Sequence, residues 1–220
     1  MAGLVFAERP PAGPAEGLLV LHHGRGADEQ DLLRLGEVLD PERRLHLVTP
    51  RGPLSLPGTP GYHWYDAQRV GHPDPETFRA GRAALAALHD ELWERTGTTP
   101  ERTVLGGFSQ GTVMSYATGL GAGRPAPAGI LALSGFLPQV PGEELDTAAR
   151  GGLPVFIAHG RRDPMISVDF GRQAAEALAA AGLDVEYHES DAAHRVQPTQ
   201  LPLARSWLER VLLAPHWRSV

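Results

Sequence analysis

Apolar residues in this chain fall into short continuous runs, separated by longer stretches in which they recur at helical spacing. The runs are Gly17 to His22, Leu45 to Thr49, Thr103 to Gly107, Gly129 to Ser134 and Pro154 to His159. An apolar run without polar alternation reads as a strand buried on both faces. Leu183 to His188 instead alternates Leu, Val and Tyr with Asp, Glu and His, as a strand near a sheet edge does. Leu4 to Ala7 reads as one more short edge strand.

Helical spacing fills the gaps. Asp28 is placed to cap a helix over Glu29 to Leu39, with Leu32, Leu35 and Leu39 on one face. Glu76 to Arg95 follows Pro75 and aligns Phe78, Leu85, Leu88 and Leu92. Thr112 to Leu120 is a further helical segment. Ser167 caps a helix to Ala181, which Gly182 stops. The last helix spans Thr199 to Leu213, with Trp207, Leu208 and Val211 inward and Pro202 in its first turn, where proline is tolerated. Strand and helix therefore alternate, which predicts an α/β fold with a mainly parallel sheet.

Two stretches stand outside this pattern. Phe136 to Gly152 reads as a loop or short irregular segment. Arg51 to Pro75 is rich in Pro and Gly and carries Tyr62, His63, Trp64 and Tyr65 without periodicity. A loop this long in a compact domain is usually functional or disordered, and its aromatics favour an ordered surface near a binding site.

Composition narrows the classes. A chain of 220 residues suits a single domain, 1–220, and no linker or repeat divides it. There is no cysteine, so disulfides, thiol chemistry and a Cys-based metal site are excluded. All 20 basic residues are arginine, which rules out a lysine Schiff base or lysine general base. A net charge of −6 argues against a nucleic-acid partner. Met1 to Pro10 has no secretory pattern, and no apolar stretch approaches the roughly 20 residues of a membrane span. A cytoplasmic protein without stable membrane insertion is expected.

The candidate chemistry centres on Gly107-Phe108-Ser109-Gln110-Gly111, between an apolar run and a helical segment. The spacing is that of a nucleophile elbow, in which a serine stands at a strained strand-to-helix turn between two small residues. Alone, the same five residues suit a Gly-rich turn with a capping serine equally well. A serine nucleophile needs a base, and the base an acid to orient it. In this topology they follow in the order Ser, acid, His, in loops beyond the carboxyl ends of strands. Asp163 lies directly after the Pro154 strand, whereas Asp169 belongs to a helix start and Asp184 to a strand. His194 lies past the Leu183 strand, whereas His188 is within it and His159 precedes the acid. Two backbone N–H groups are candidates for an oxyanion hole: Gln110, after the nucleophile, and Arg25, in the His23-Gly24-Arg25-Gly26 loop. On this reading the Gln110 side chain is dispensable. His22 and His23 point to opposite sides of an extended segment, which argues against a shared metal.

With these residues in view, the chain resembles the phospholipase/carboxylesterase family of α/β-hydrolases, which includes the acyl-protein thioesterases. The resemblance rests on LHHGRGADEQDLL at 21–33, GGFSQGTVMS at 106–115, LSGFLP at 133–138 and HGRRDPMI at 159–166. It implies an α/β-hydrolase fold with Ser109 as nucleophile, Asp163 as acid, His194 as base, and the Arg25 and Gln110 N–H groups as oxyanion hole. One departure is Ala193-His194-Arg195, where the family usually has Gly-His-Glu. The resemblance also implies that Trp64 flanks the acyl site, with Leu137 and Met165 lining the same cleft.

The expected protein is a serine carboxylesterase acting on small to medium acyl esters, lysophospholipids or thioesters, with no metal or cofactor. The chain is too short for a large cap domain, so the site is expected to be open. Two rivals stay in play: an acyltransferase using the same acyl-enzyme, and a non-catalytic binding protein on a hydrolase scaffold. A homodimer also stays open, because an apolar surface cannot be told from an apolar core here.

Overall fold

The structure is a computed structural model that describes residues 3–213; the first two and last seven residues of the expected 1–220 domain lie outside the described residues. In chain order the elements are β1 (Phe6–Arg9), β2 (Leu18–His22), α1 (Leu33–Leu39), β3 (His46–Pro50), β4 (Leu54–Ser55), β5 (Tyr62–His63), β6 (Ala67–Arg69), β7 (His72–Pro73) and α2 (Pro75–Thr96). There follow β8 (Thr103–Phe108), α3 (Gln110–Gly119), β9 (Gly129–Leu133), β10 (Pro154–Gly160), α4 (Val168–Ala180), β11 (Asp184–Ser190) and α5 (Leu201–Leu208).

Seven strands form one sheet in the order β1-β3-β2-β8-β9-β10-β11. Only β1 is antiparallel, on the edge beside β3; the other pairings are parallel. Parallel strands need crossovers, and those crossovers cover both faces with helices. Leu19, Leu21, Val104, Leu131 and Phe156 pack towards the α1 and α5 residues Leu39, Trp207 and Leu208. Their neighbours along the strands face the other way: Leu18, Val20 and Leu105 meet Leu88 and Leu92 of α2, and Ile130, Val155 and Ile157 meet Tyr116 of α3 and Leu178 of α4. This two-sided burial is why these strands read as unbroken apolar runs. The alternating strand, β11, is indeed at the edge, and its pairing with β10 runs on to Glu189 and Ser190.

The strand order reverses direction between β2 and β8. The chain passes from β2 outwards to β3, then returns to the other side of β2 as β8 and continues outwards to β11. A crevice opens beyond the carboxyl ends of strands at such a switch point. Among the described residues no large cap is inserted over it.

Two expectations are corrected by tertiary contacts. The first helix begins at Leu33, not Glu29. Asp28 accepts from the Gln30 N–H (2.8 Å) in a turn, and Glu29 is drawn away to β3. Its carbonyl takes the Thr49 hydroxyl at 2.6 Å and its carboxylate takes both arms of Arg51 at 2.6 Å. The stretch 51–75 is not one irregular loop either: β4 pairs with β5 and β6 with β7, as two short antiparallel ribbons.

Candidate active site

β8 enters the turn at Gly107 and α3 leaves it at Gln110. Ser109 stands between them with φ 56° and ψ −120°, a conformation that residues with a Cβ rarely adopt. Its neighbours hold it there. The Ser109 N–H donates to the Leu133 carbonyl of β9 (2.9 Å), and the Thr112 hydroxyl accepts from the Leu133 N–H at 3.0 Å. A Cβ on Gly107 would overlap the Gly111 backbone, and one on Gly111 would overlap the His22 carbonyl. The two glycines thus let β8, α3 and the end of β2 meet at the serine.

Asp163 follows β10. Its buried carboxylate accepts from the Met165 and Ile166 N–H groups through Oδ1, at 2.9 and 2.8 Å. That turn aims Oδ2 at His194 Nδ1, 2.6 Å away. Below it, His159 Nε2–H donates to the Ile166 carbonyl at 2.9 Å; burial pushes this imidazole below its usual range, so it serves as a neutral prop.

His194 comes from the loop after β11, two strands beyond β9, and must reach back to Ser109. It does so by crossing Gly160, where a Cβ would overlap the Ala192 and Ala193 carbonyls. The imidazole rests on the Phe108 ring, centroids 4.8 Å apart. Its Nε2 lies 2.9 Å from Ser109 Oγ. A carboxylate oxygen only accepts, so Nδ1 carries the hydrogen and Nε2 presents a lone pair to the serine. The His194 side chain is 19% exposed and the Asp163 side chain 0%, so the imidazole reaches the surface while the carboxylate is sealed beneath it. His188 remains on β11, paired with Glu186 at 2.9 Å.

The loop after β2 lies against this group. A Cβ on Gly24 would sit 3.3 Å from Ser109 Cβ and 3.2 Å from the Phe108 ring, so the loop packs tightly against the elbow. The next residue, Arg25, is exposed, and its N–H has no backbone acceptor among the described residues. Gln110 opens α3, where the first N–H groups lack an intrahelical acceptor.

Of the three residues expected to line the acyl cleft, one needs correction. Trp64 is fully buried, not a cleft wall. Its ring packs beside His22 and His23, at 5.7 and 5.1 Å between centroids, and its indole N–H donates to the His23 carbonyl at 2.8 Å. A buried indole needs such an acceptor, and this one lies behind the Gly24 loop. Leu137 is half-buried and lines two clefts of about 280 and 660 Å³, neither of which has Ser109 or His194 in its lining. Met165 is 63% exposed, and its N–H holds Asp163.

Sequence reasoning missed the Gln110 side chain. It is buried, with Oε1 accepting from the Trp64 N–H (2.8 Å) and Nε2 donating to the Tyr65 carbonyl (2.7 Å). Only the choice of a large amide at a tightly packed helix start could have signalled this. His22 and His23 do diverge: His22 meets Ser115 and His89, and His23 accepts from the Gly52 N–H.

Comparison with known proteins shows the family and the fold. A family described as Phospholipase/Carboxylesterase matches residues 6–212. Acyl-protein thioesterase 1 of Mycosarcoma maydis is 37% identical over 238 residues, covering 96% of this chain and 97% of that one. Its counterpart in Debaryomyces hansenii is 27% identical, covering 91% and 94%. Among solved structures, esterase PE8 superposes with a TM-score of 0.82 at 30% identity, covering 96% of this chain and 100% of its own. The Bacillus cereus carboxylesterase shares the fold, with a TM-score of 0.81 at 24% identity and 94% of each chain covered.

Proposed function

The chain belongs to the phospholipase/carboxylesterase family of serine hydrolases, and from that premise we propose that it cleaves acyl esters through an acyl-enzyme on Ser109. As Ser109 Oγ attacks the carbonyl carbon, its proton passes to His194 Nε2. Asp163 holds the imidazole in place and stabilises the imidazolium that forms. The N–H groups of Arg25 and Gln110 take the oxyanion, each worth on the order of 3 kcal/mol in the transition state. His194 then returns the proton to the departing alcohol or thiol. Water, deprotonated by the same imidazole, attacks the acyl-enzyme; the imidazolium returns that proton to Ser109 Oγ as its bond to the acyl carbon breaks, and the carboxylic acid leaves. No step calls for a metal or cofactor.

The observation that carries this reading is the pair of hydrogen bonds Ser109–His194 and His194–Asp163, at 2.9 and 2.6 Å. The substrates we propose are small to medium acyl esters, with thioesters included because curated relatives are named acyl-protein thioesterases. Support for modest acyl groups comes from a half-buried serine at the strand ends with no inserted cap above it.

The test is a fluorophosphonate probe on folded protein, read by intact mass. Labelling of the wild type but not of Ser109→Ala is the expected result. Wild-type protein that stays unlabelled overturns the proposal. A panel of matched oxygen esters and thioesters of increasing chain length then ranks the substrates.

A further inference from the structure

Behind the proposed oxyanion hole runs a chain of hydrogen bonds that the steps above do not use. It begins at the Gln110 side chain, whose amide engages two successive residues, the Trp64 N–H at 2.8 Å and the Tyr65 carbonyl at 2.7 Å. An amide that both accepts and donates in this way holds the segment in one register. Trp64 passes the constraint on, its indole N–H donating to the His23 carbonyl at 2.8 Å. His23 Nε2 accepts from the Gly52 N–H at 2.9 Å, so its hydrogen is on Nδ1, which donates to the Gly24 carbonyl at 2.7 Å. Gly24 rests against Ser109 and immediately precedes Arg25.

The path thus joins Gln110 to Arg25 without using either backbone N–H. The far side of the Arg25 loop is tied to Tyr62, whose carbonyl accepts from the Gly26 N–H at 2.7 Å and whose N–H donates to the Ala27 carbonyl at 2.8 Å; the Gly24 side relies on this brace. The loop is flanked by Gly24 and Gly26, the latter at φ 89°, and its outer residues are exposed. A glycine-flanked loop has little conformational preference of its own. Oxyanion donors, however, act only within about 2.7–3.1 Å of the developing charge.

We propose that the Gln110 side chain and Trp64 are positioning residues that set the separation of the Arg25 and Gln110 N–H groups. They touch no substrate; they act through the loop and the elbow they connect. This rests on the Ser109 reading above. It reverses the expectation that only the Gln110 backbone matters.

Two near-isosteric variants test it. Trp64→Phe keeps an aromatic ring but removes the donor to His23. Gln110→Met keeps the length and stays neutral but removes both hydrogen bonds of the amide. Each is assayed with an activated aryl ester for kcat, KM and the pH profile of kcat. Each is also titrated with an alkyl trifluoromethyl ketone, whose serine adduct carries an oxyanion. Displacement of one donor by about 1 Å is expected to lower kcat by about 10- to 100-fold, with KM within about twofold. The ketone should weaken in parallel with kcat/KM, and the pH profile should not move because His194 is untouched. Folded variants with wild-type kcat, or with lowered kcat and undiminished ketone affinity, overturn the proposal. Failure of both variants to fold assigns the network to stability alone and also overturns it. Loss of the Ser109 reading would show differently, as retained activity in Ser109→Ala.

Discussion

Ser109 Oγ lies 2.9 Å from His194 Nε2, although 85 residues separate the two in the chain. The contact is made by two loops that leave different strands and share no secondary structure. Replacing either residue removes the proposed proton transfer. Ser109→Ala and His194→Ala are each expected to lower turnover of an aryl ester by about 10⁴- to 10⁶-fold. Asp163→Asn, which retains the side-chain shape but lets the imidazole turn over, should cost about 10⁴-fold. Steady-state assays on protein with unchanged circular dichroism decide the matter, and a variant that keeps most of its activity contradicts the assignment.

The backbone of Ser109 carries its own prediction. With φ 56° and ψ −120°, any residue bearing a Cβ is strained there, at a cost of order 1–3 kcal/mol. Glycine relieves that strain. Ser109→Gly should therefore be more stable than Ser109→Ala by about 1 kcal/mol, part of the relief being offset by the freer unfolded chain. Urea denaturation of the two inactive variants measures the difference; equal midpoints would mean the turn is unstrained.

Gly111 meets the His22 carbonyl with no space for a methyl group. Gly111→Ala must push α3 away from β2 or fail to fold. The expected result is destabilisation by about 3 kcal/mol, at the upper end of overpacking costs, together with loss of activity, because Gln110 and Ser109 move with the helix. Thermal melts and ester assays on one preparation test both halves.

A pH effect on stability follows from the buried pair His22 and His89. Ser115 Oγ–H donates to the Gly111 carbonyl (2.9 Å), so His22 Nδ1–H donates to Ser115 Oγ (2.8 Å). His22 Nε2 is then left to accept from His89 Nε2–H (3.3 Å). Burial pushes the His22 pKa well below its ordinary value and the His89 pKa down to about 3, with Arg124 adding to the effect on His89 and Asp90 opposing it. In the unfolded chain both rings titrate near 6.5. Below that pH the unfolded state binds protons that the folded state refuses, so stability falls as pH falls. Each ring contributes a slope of up to about 1.4 kcal/mol per pH unit below about pH 6, which for His89 persists to about pH 4, and nothing above about pH 7. Urea midpoints across that range should be steep for the wild type and shallower for His89→Gln. An unchanged slope in the variant would place the proton uptake elsewhere.

Much of this protein was legible in its sequence, and for identifiable reasons. Strands buried between two helical layers read as continuous apolar runs, and the edge strand β11 as an alternation, because burial on one or two faces leaves a local imprint. The order Ser109, Asp163, His194 was readable because each residue lies just beyond a strand, where a parallel sheet exposes its loops. Glycine spacing around Ser109 reported a steric demand within five residues. Each of these constraints leaves its mark within a few residues of the position it acts on.

What the tertiary structure alone decided depends on residues distant in sequence. Glu29 reads as helical, yet Thr49 and Arg51 hold it out of α1. Trp64 reads as a pocket aromatic, yet the His23 carbonyl captures its indole and buries it. Gln110 reads as a backbone donor with an idle side chain, yet that side chain grips Trp64 and Tyr65, more than forty residues earlier in the chain. Propensity and periodicity carry no record of such partners, because a polar group's destination is settled only when the elements have packed and each buried donor must find an acceptor.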